Sequence, residues 1–105
     1  MAKGPSMLDQ YAEIKAEHPD TVLFFRMGDF YEMFYDDAVA ASEVLGITLT
    51  SRDKNSDNPV PMAGVPWHSV EGYLQRMLRA GYKVTLCEQA EELQPGEKIL
   101  RRVVT

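Results

Sequence analysis

The feature that most narrows what this chain can fold into is a break at Gly28-Asp29. Before it runs Val22-Leu23-Phe24-Phe25-Arg26-Met27, and after it Phe30-Tyr31-Glu32-Met33-Phe34-Tyr35. Two apolar and aromatic runs separated by two residues, the first of them glycine, predict a tight antiparallel hairpin. The first run is almost continuously apolar, as a central strand covered on both faces requires. In the second, alternation puts Phe30, Glu32 and Phe34 on one face and Tyr31, Met33 and Tyr35 on the other. One face therefore carries an aromatic ring with a carboxylate beside it. Phe30 falls next to the bend, a poor position for a core ring and a good one for touching something outside.

The remaining chain supplies elements to cover such a hairpin. Ser6 and Asp9 read as a helix cap and its partner, and Met7, Tyr11 and Ile14 recur at helical spacing until His18-Pro19, with Glu13, Lys15 and Glu17 on solvated faces. Asp36-Asp37 reads as cap and first-turn acids of a second helix through Leu45, with Ala38, Ala41 and Leu45 on one stripe and Gly46 closing it. Ile47–Ser51 alternates as a strand. Residues 52–59 form a polar loop, and Pro61–Pro66 a short extended segment. Val70, Tyr73, Leu74, Met77 and Leu78 fit one helical face, starting at His68 or Ser69 and ending at Gly81. Tyr82–Gln89 and Ile99–Val104 read as strands around an acidic loop at 91–97. The expected fold is α+β, a mixed sheet flanked by about three helices in one compact domain.

Charge and composition limit function. The net charge is −5, and nonspecific affinity for nucleic acid comes mostly from Lys and Arg neutralising phosphates. If this chain touches DNA, other domains must hold the DNA for it. A single cysteine, Cys87, has no internal disulfide partner and lies in an alternating apolar run, which reads as a buried, reduced thiol in a cytoplasmic protein. No run of eighteen apolar residues and no apolar leader is present, so neither a membrane span nor a signal peptide is expected.

The string Phe-Phe-Arg-Met-Gly-Asp-Phe-Tyr-Glu-Met-Phe-Tyr-Asp-Asp-Ala at 24–38 resembles the N-terminal mismatch-recognition domain of the MutS family of bacterial DNA mismatch repair proteins. The resemblance resumes at Pro61-Met62-Ala63-Gly64-Val65-Pro66-Trp67-His68, at Val70-Glu71-Gly72-Tyr73-Leu74 and at Cys87-Glu88-Gln89. It implies that residues 1–105 are one such domain of a longer protein, built as a mixed sheet surrounded by helices. It also implies that Phe30 and Glu32 meet the mispaired base and that Arg52, with Lys54 more weakly, lies near the DNA backbone. Met62 is expected to pack behind or beside the Phe30 wedge. The partners implied are mismatched double-stranded DNA, a second copy of the full-length protein and other mismatch repair proteins. ATP and magnesium belong to the full-length family outside this chain, which has no Gly-x-x-x-x-Gly-Lys phosphate loop and is expected to need no cofactor.

A protein-interaction module on the Tyr31, Met33 and Tyr35 face is one alternative, though those residues more simply form core; two other readings compete. In the bland one, Phe30 and Glu32 are an edge-strand aromatic and a solvated acid. In the other, Asp29, Glu32, Asp36 and Asp37 form the acid cluster of a metal-dependent nuclease. No lysine follows that cluster, and Asp36-Asp37 already has a capping role, so no catalytic residue is expected. His18 and His68 lack a second ligand at metal spacing, so both are read as structural and no metal site is expected.

Overall fold

In the computed structural model, which describes residues 7–52, 59–88 and 101–104, the hairpin forms at the predicted break. Strand β1 (Val22–Met27) turns through Gly28-Asp29 into β2 (Phe30–Phe34), with Met27 opposite Phe30 and Phe25 opposite Glu32. Gly28 sits at φ 65, a left-handed conformation that is costly for a residue with a Cβ. Around this hairpin are helix α1 (Met7–Glu17), helix α2 (Tyr35–Leu45), strands β3 (Thr50–Arg52) and β4 (Val60–Pro66), helix α3 (Val70–Arg79), and strands β5 (Val84–Cys87) and β6 (Arg101–Val104). A 3-10 turn at Trp67–Ser69 leads into α3.

The six strands among the described residues make one sheet in the order β3-β4-β2-β1-β5-β6. It is mixed, because β1 and β5 are parallel while the other neighbours are antiparallel. Alternation along β1 and β2 splits the core into two layers. Val22, Phe24, Tyr31 and Met33 face Ala38, Ala41 and Leu45 of α2 and Leu74 and Met77 of α3. Leu23, Phe25 and Phe34 face Tyr11 and Ile14 of α1. Strand β1 is therefore buried on both sides from Val22 to Phe25, as its apolar run requires, and each of these buried side chains stabilises the fold by roughly 1.5–3 kcal/mol of apolar burial.

The structure differs from the sequence reading in several places. Strand β2 ends at Phe34. Tyr35, expected on the core face with Tyr31 and Met33, instead opens α2 at φ 58 with its ring exposed. Neither Asp36 nor Asp37 is the cap: Phe34 holds that position with extended backbone and no side-chain cap bond. Asp36 is an exposed first-turn acid, while Asp37 is buried. Its Oδ2 accepts hydrogen bonds from the Tyr11 hydroxyl at 2.8 Å and the Leu23 N–H at 3.0 Å, and its Oδ1 pairs with Lys15 Nζ at 3.0 Å. A buried carboxylate is tolerable when its lone pairs are so filled. Lys15, expected to be solvated, is thereby drawn in and also donates to the Thr21 carbonyl. Desolvation and the neighbouring Asp37 charge push the Tyr11 hydroxyl well above the ordinary tyrosine range.

Strand β3 is shorter and later than the alternation at 47–51 implies, because Ile47 packs half-buried against the core ahead of it. The Pro61–Pro66 segment belongs to an interior strand, paired to β2 on one side and β3 on the other. Cys87 is buried and forms no disulfide among the described residues. The expectations for Ser6, for the loop at 53–58 with Lys54, and for the loop at 91–97 lie outside the described residues.

Candidate nucleic-acid interface

On the sheet face that α1 packs against, the helix covers one end and leaves the other open. Along β2 this makes a gradient: Phe34 is 0% exposed, Glu32 is half-buried and Phe30 is 44% exposed. Phe30 is flanked across the strands by Met27 on β1 and Pro66 on β4. Both are half-buried and apolar, so the ring rises from a greasy row rather than from a polar rim. Sequence reasoning named neither neighbour.

Glu32 occupies the next row, between Phe25 and Gly64. An ideal Cβ built on Gly64 would lie 2.8 Å from the Glu32 Oε1, so the carboxylate rests on the bare backbone of β4. Loss of solvent there pushes the Glu32 carboxyl above its ordinary value, and the positive charge of Arg52 opposes that shift. Arg52 is the last residue of β3 rather than a loop residue, exposed and paired with Val60. It thus stands on the same face as Glu32. Met62 lies opposite Phe34 and packs into the core under α1. The expectation that it sits beside or behind the ring is corrected by this register: Met62 is Phe34's neighbour, two rows away from Phe30.

The hairpin bend is held from the reverse face. Arg26 Nε donates to the Gly28 carbonyl at 2.6 Å, and the Trp67 N–H donates to the Asp29 carbonyl at 2.9 Å, so both turn carbonyls are engaged. The Arg26 guanidinium stacks over the Trp67 ring at 4.3 Å and pairs with Glu88 at 3.3 Å. Tyr31 donates to the same carboxylate at 2.7 Å, and burial followed by that hydrogen bond pushes its hydroxyl up to about 12. One available signal was Arg26 itself, since a charge at an inward position of a buried strand demands a partner.

The four acids read as a possible cation cluster go separate ways. Asp29 is exposed in the bend, Glu32 lies on the sheet, Asp36 is exposed at the start of α2, and Asp37 is committed to Tyr11, Leu23 and Lys15. Among the described residues no group of three or more His, Cys, Asp or Glu side chains could hold a metal ion. Nor is any helix among them long and apolar enough to cross a membrane.

A family model described as MutS domain I matches residues 5–105. The chain is 52% identical over 104 residues to the DNA mismatch repair protein MutS of Geobacillus sp. (strain WCH70), covering 99% of this chain and 12% of that protein. It is 54% identical over 98 residues to the MutS of Geobacillus thermodenitrificans (strain NG80-2), covering 93% and 11%. With the MutS of Desulfatibacillum aliphaticivorans it shares 55% over 102 residues, covering 97% and 12%. The chain thus spans about an eighth or less of these relatives.

Proposed function

The chain belongs to the MutS domain I family, and on that footing we propose that it senses mispaired or unpaired bases in duplex DNA. Phe30 is the wedge and Glu32 the discriminator, working within a larger, dimeric, ATP-driven repair protein. The observation that carries this reading is the pairing of an exposed ring at a pinned bend with a half-buried carboxylate one row behind it. A ring entering a base step unstacks it and kinks the duplex. A mismatch lowers that cost, because its stacking and pairing are already weak. Stacking accepts any base, which suits a sensor for many different errors. Because the bend is held through both its carbonyls, little ordering free energy is lost when the ring inserts.

Glu32 supplies selectivity by a cost. A carboxylate facing phosphates disfavours every duplex, and the penalty is recovered where an unpaired base edge offers a hydrogen bond. Its raised pKa widens the options, since a carboxyl that holds its proton more tightly can donate as well as accept. Arg52, exposed on the same face, meets a phosphate in this reading; Met62 supports the sheet beneath. With a net charge of −5 the domain does not hold DNA by itself. Other domains of the protein grip the duplex, and ATP, magnesium, the second protomer and other repair proteins act through those domains. The nuclease alternative requires converging acids, and Asp37 is already spent on the fold.

The test is proximity to the lesion. A photoreactive phenylalanine analogue at position 30 of the full-length protein should crosslink to the mispaired base of a mismatched duplex and leave a matched duplex nearly unlabelled. Equal labelling of both duplexes, or labelling only away from the mismatch, would mean that Phe30 is an ordinary surface ring.

A further inference from the structure

Gly64 pairs with Glu32 across β2 and β4. Its φ is not positive, so the backbone there asks for nothing an alanine could not adopt. Glycine inside a strand is a poor choice, because it loses more backbone freedom on folding than alanine and packs no side chain. What a side chain would lack is space. The three heavy atoms nearest an ideal Cβ at this position all belong to the Glu32 carboxylate: Oε1 at 2.8 Å, Cδ at 3.1 Å and Oε2 at 3.2 Å. Apart from the glycine's own chain neighbours, no other atom among the described residues comes as near.

We propose that Gly64 is a positioning residue for the discriminating carboxylate: its missing side chain is the seat on which Glu32 lies, and it sets how far the carboxylate stands off the sheet. This rests on the reading of Glu32 as discriminator. A methyl group at 64 must move the carboxylate by several tenths of an ångström or more to restore ordinary contact. The displaced atoms are the far end of a flexible side chain, so the strand pairing survives and the carboxylate swings outward. There it stands nearer the duplex and out of register with the base edge it would meet. Matched and mismatched DNA are then both penalised, and the hydrogen bond that recovers the penalty at a mismatch is misplaced.

The experiment is a four-protein cycle in the full-length protein: wild type, Gly64→Ala, Glu32→Ala and the double variant, each titrated against a matched duplex and one with a single mismatch. Gly64→Ala should lower the preference for the mismatch roughly three- to tenfold, the size of one hydrogen bond lost. In the Glu32→Ala background it should change nothing further, because the atoms the methyl would strike are gone. Melting temperatures read the same cycle independently of DNA: any destabilisation by Gly64→Ala should be relieved in the double variant. Equal effects of Gly64→Ala in both backgrounds would overturn the proposal and assign the glycine to β4 packing. So would a Gly64→Ala protein with wild-type preference while Glu32→Ala has lost it. A Glu32→Ala protein with unchanged preference overturns the discriminator reading, and the seat with it.

Discussion

The two ends of one sheet face are built from the same strand and the same alternation, yet they do opposite things. At the covered end, Phe34 is sealed under α1, with the Tyr11 ring edge-on at 5.1 Å and Asp37 binding helix, strand and Lys15 together. At the open end, Phe30 stands clear and Glu32 is left half-solvated over a glycine. What separates them is the reach of α1, because the sheet continues beyond the rows the helix covers. An aromatic on this face is buried or exposed according to whether a helix lies over it. The contrast also separates the two acids: the buried one is fully satisfied and holds the fold, and the half-buried one lies on bare backbone with part of its carboxylate in solvent.

The contrast is sharpest in stability. Asp37→Ala takes the carboxylate from the Leu23 N–H and from the half-buried Lys15 ammonium, leaving the Tyr11 hydroxyl its Phe34 carbonyl and Lys15 its Thr21 carbonyl, and should cost about 3–5 kcal/mol. Phe34→Ala should cost a similar ~3–5 kcal/mol through the cavity it leaves. Either is a large share of the ~5–15 kcal/mol typical of a domain. Phe30→Ala, on the same face of the same strand, should stay within about 0.5 kcal/mol. Denaturant melts of the chain followed by circular dichroism give the three values. A Phe30→Ala that melts like Phe34→Ala would erase the difference between the ends and return the hairpin to a structural role.

Binding should reverse the ranking. In the full-length protein Phe30→Ala removes a stacking contact of roughly 1–3 kcal/mol, so preference for mismatched over matched duplex should fall by about one to two orders of magnitude. Glu32→Ala should act more gently and differently, since it removes a repulsion along with a contact. Affinity for matched duplex holds or rises while the mismatch advantage shrinks. Competition titrations with the two duplexes separate these patterns: a parallel loss of affinity for both DNAs in Glu32→Ala would make the carboxylate a scaffold rather than a discriminator.

The hairpin, its bend and the exposure of Phe30 were legible because each rests on a local rule: glycine at a two-residue turn, apolar runs either side, alternation of faces. The α3 face was legible for the same reason, its period unbroken from Val70 to Leu78. The fate of Asp37 and Lys15 was not, because a first-turn acid and a solvated lysine look identical in sequence to a pair meeting across 22 positions. Met62 was misplaced because register between β2 and β4 depends on a pairing no short segment encodes. The partners of Arg26 were hidden in the same way, since Glu88 is 62 positions away in sequence. Gly64 was visible as part of a motif, but its reason appears only when β4 is laid against β2.

The smallest expected effect concerns proton binding at the open end. Burial raises the Glu32 carboxyl above its ordinary value, so the folded chain binds that proton more tightly than the unfolded chain does. The linked stability is fully present below the unfolded value and is lost as pH rises through the folded value. Glu32→Gln keeps the shape and removes the titration. As pH rises above the ordinary glutamate value of about 4.3, the glutamine variant should therefore gain on the wild type until the folded carboxyl has ionised, after which the gap holds constant, with the two proteins closest at the acid end. Paired urea melts across that range measure the gap. A gap that narrows or reverses as pH rises would mean the carboxylate is stabilised where it lies, with Arg52 outweighing desolvation, and Glu32 would then hold the fold as Asp37 does.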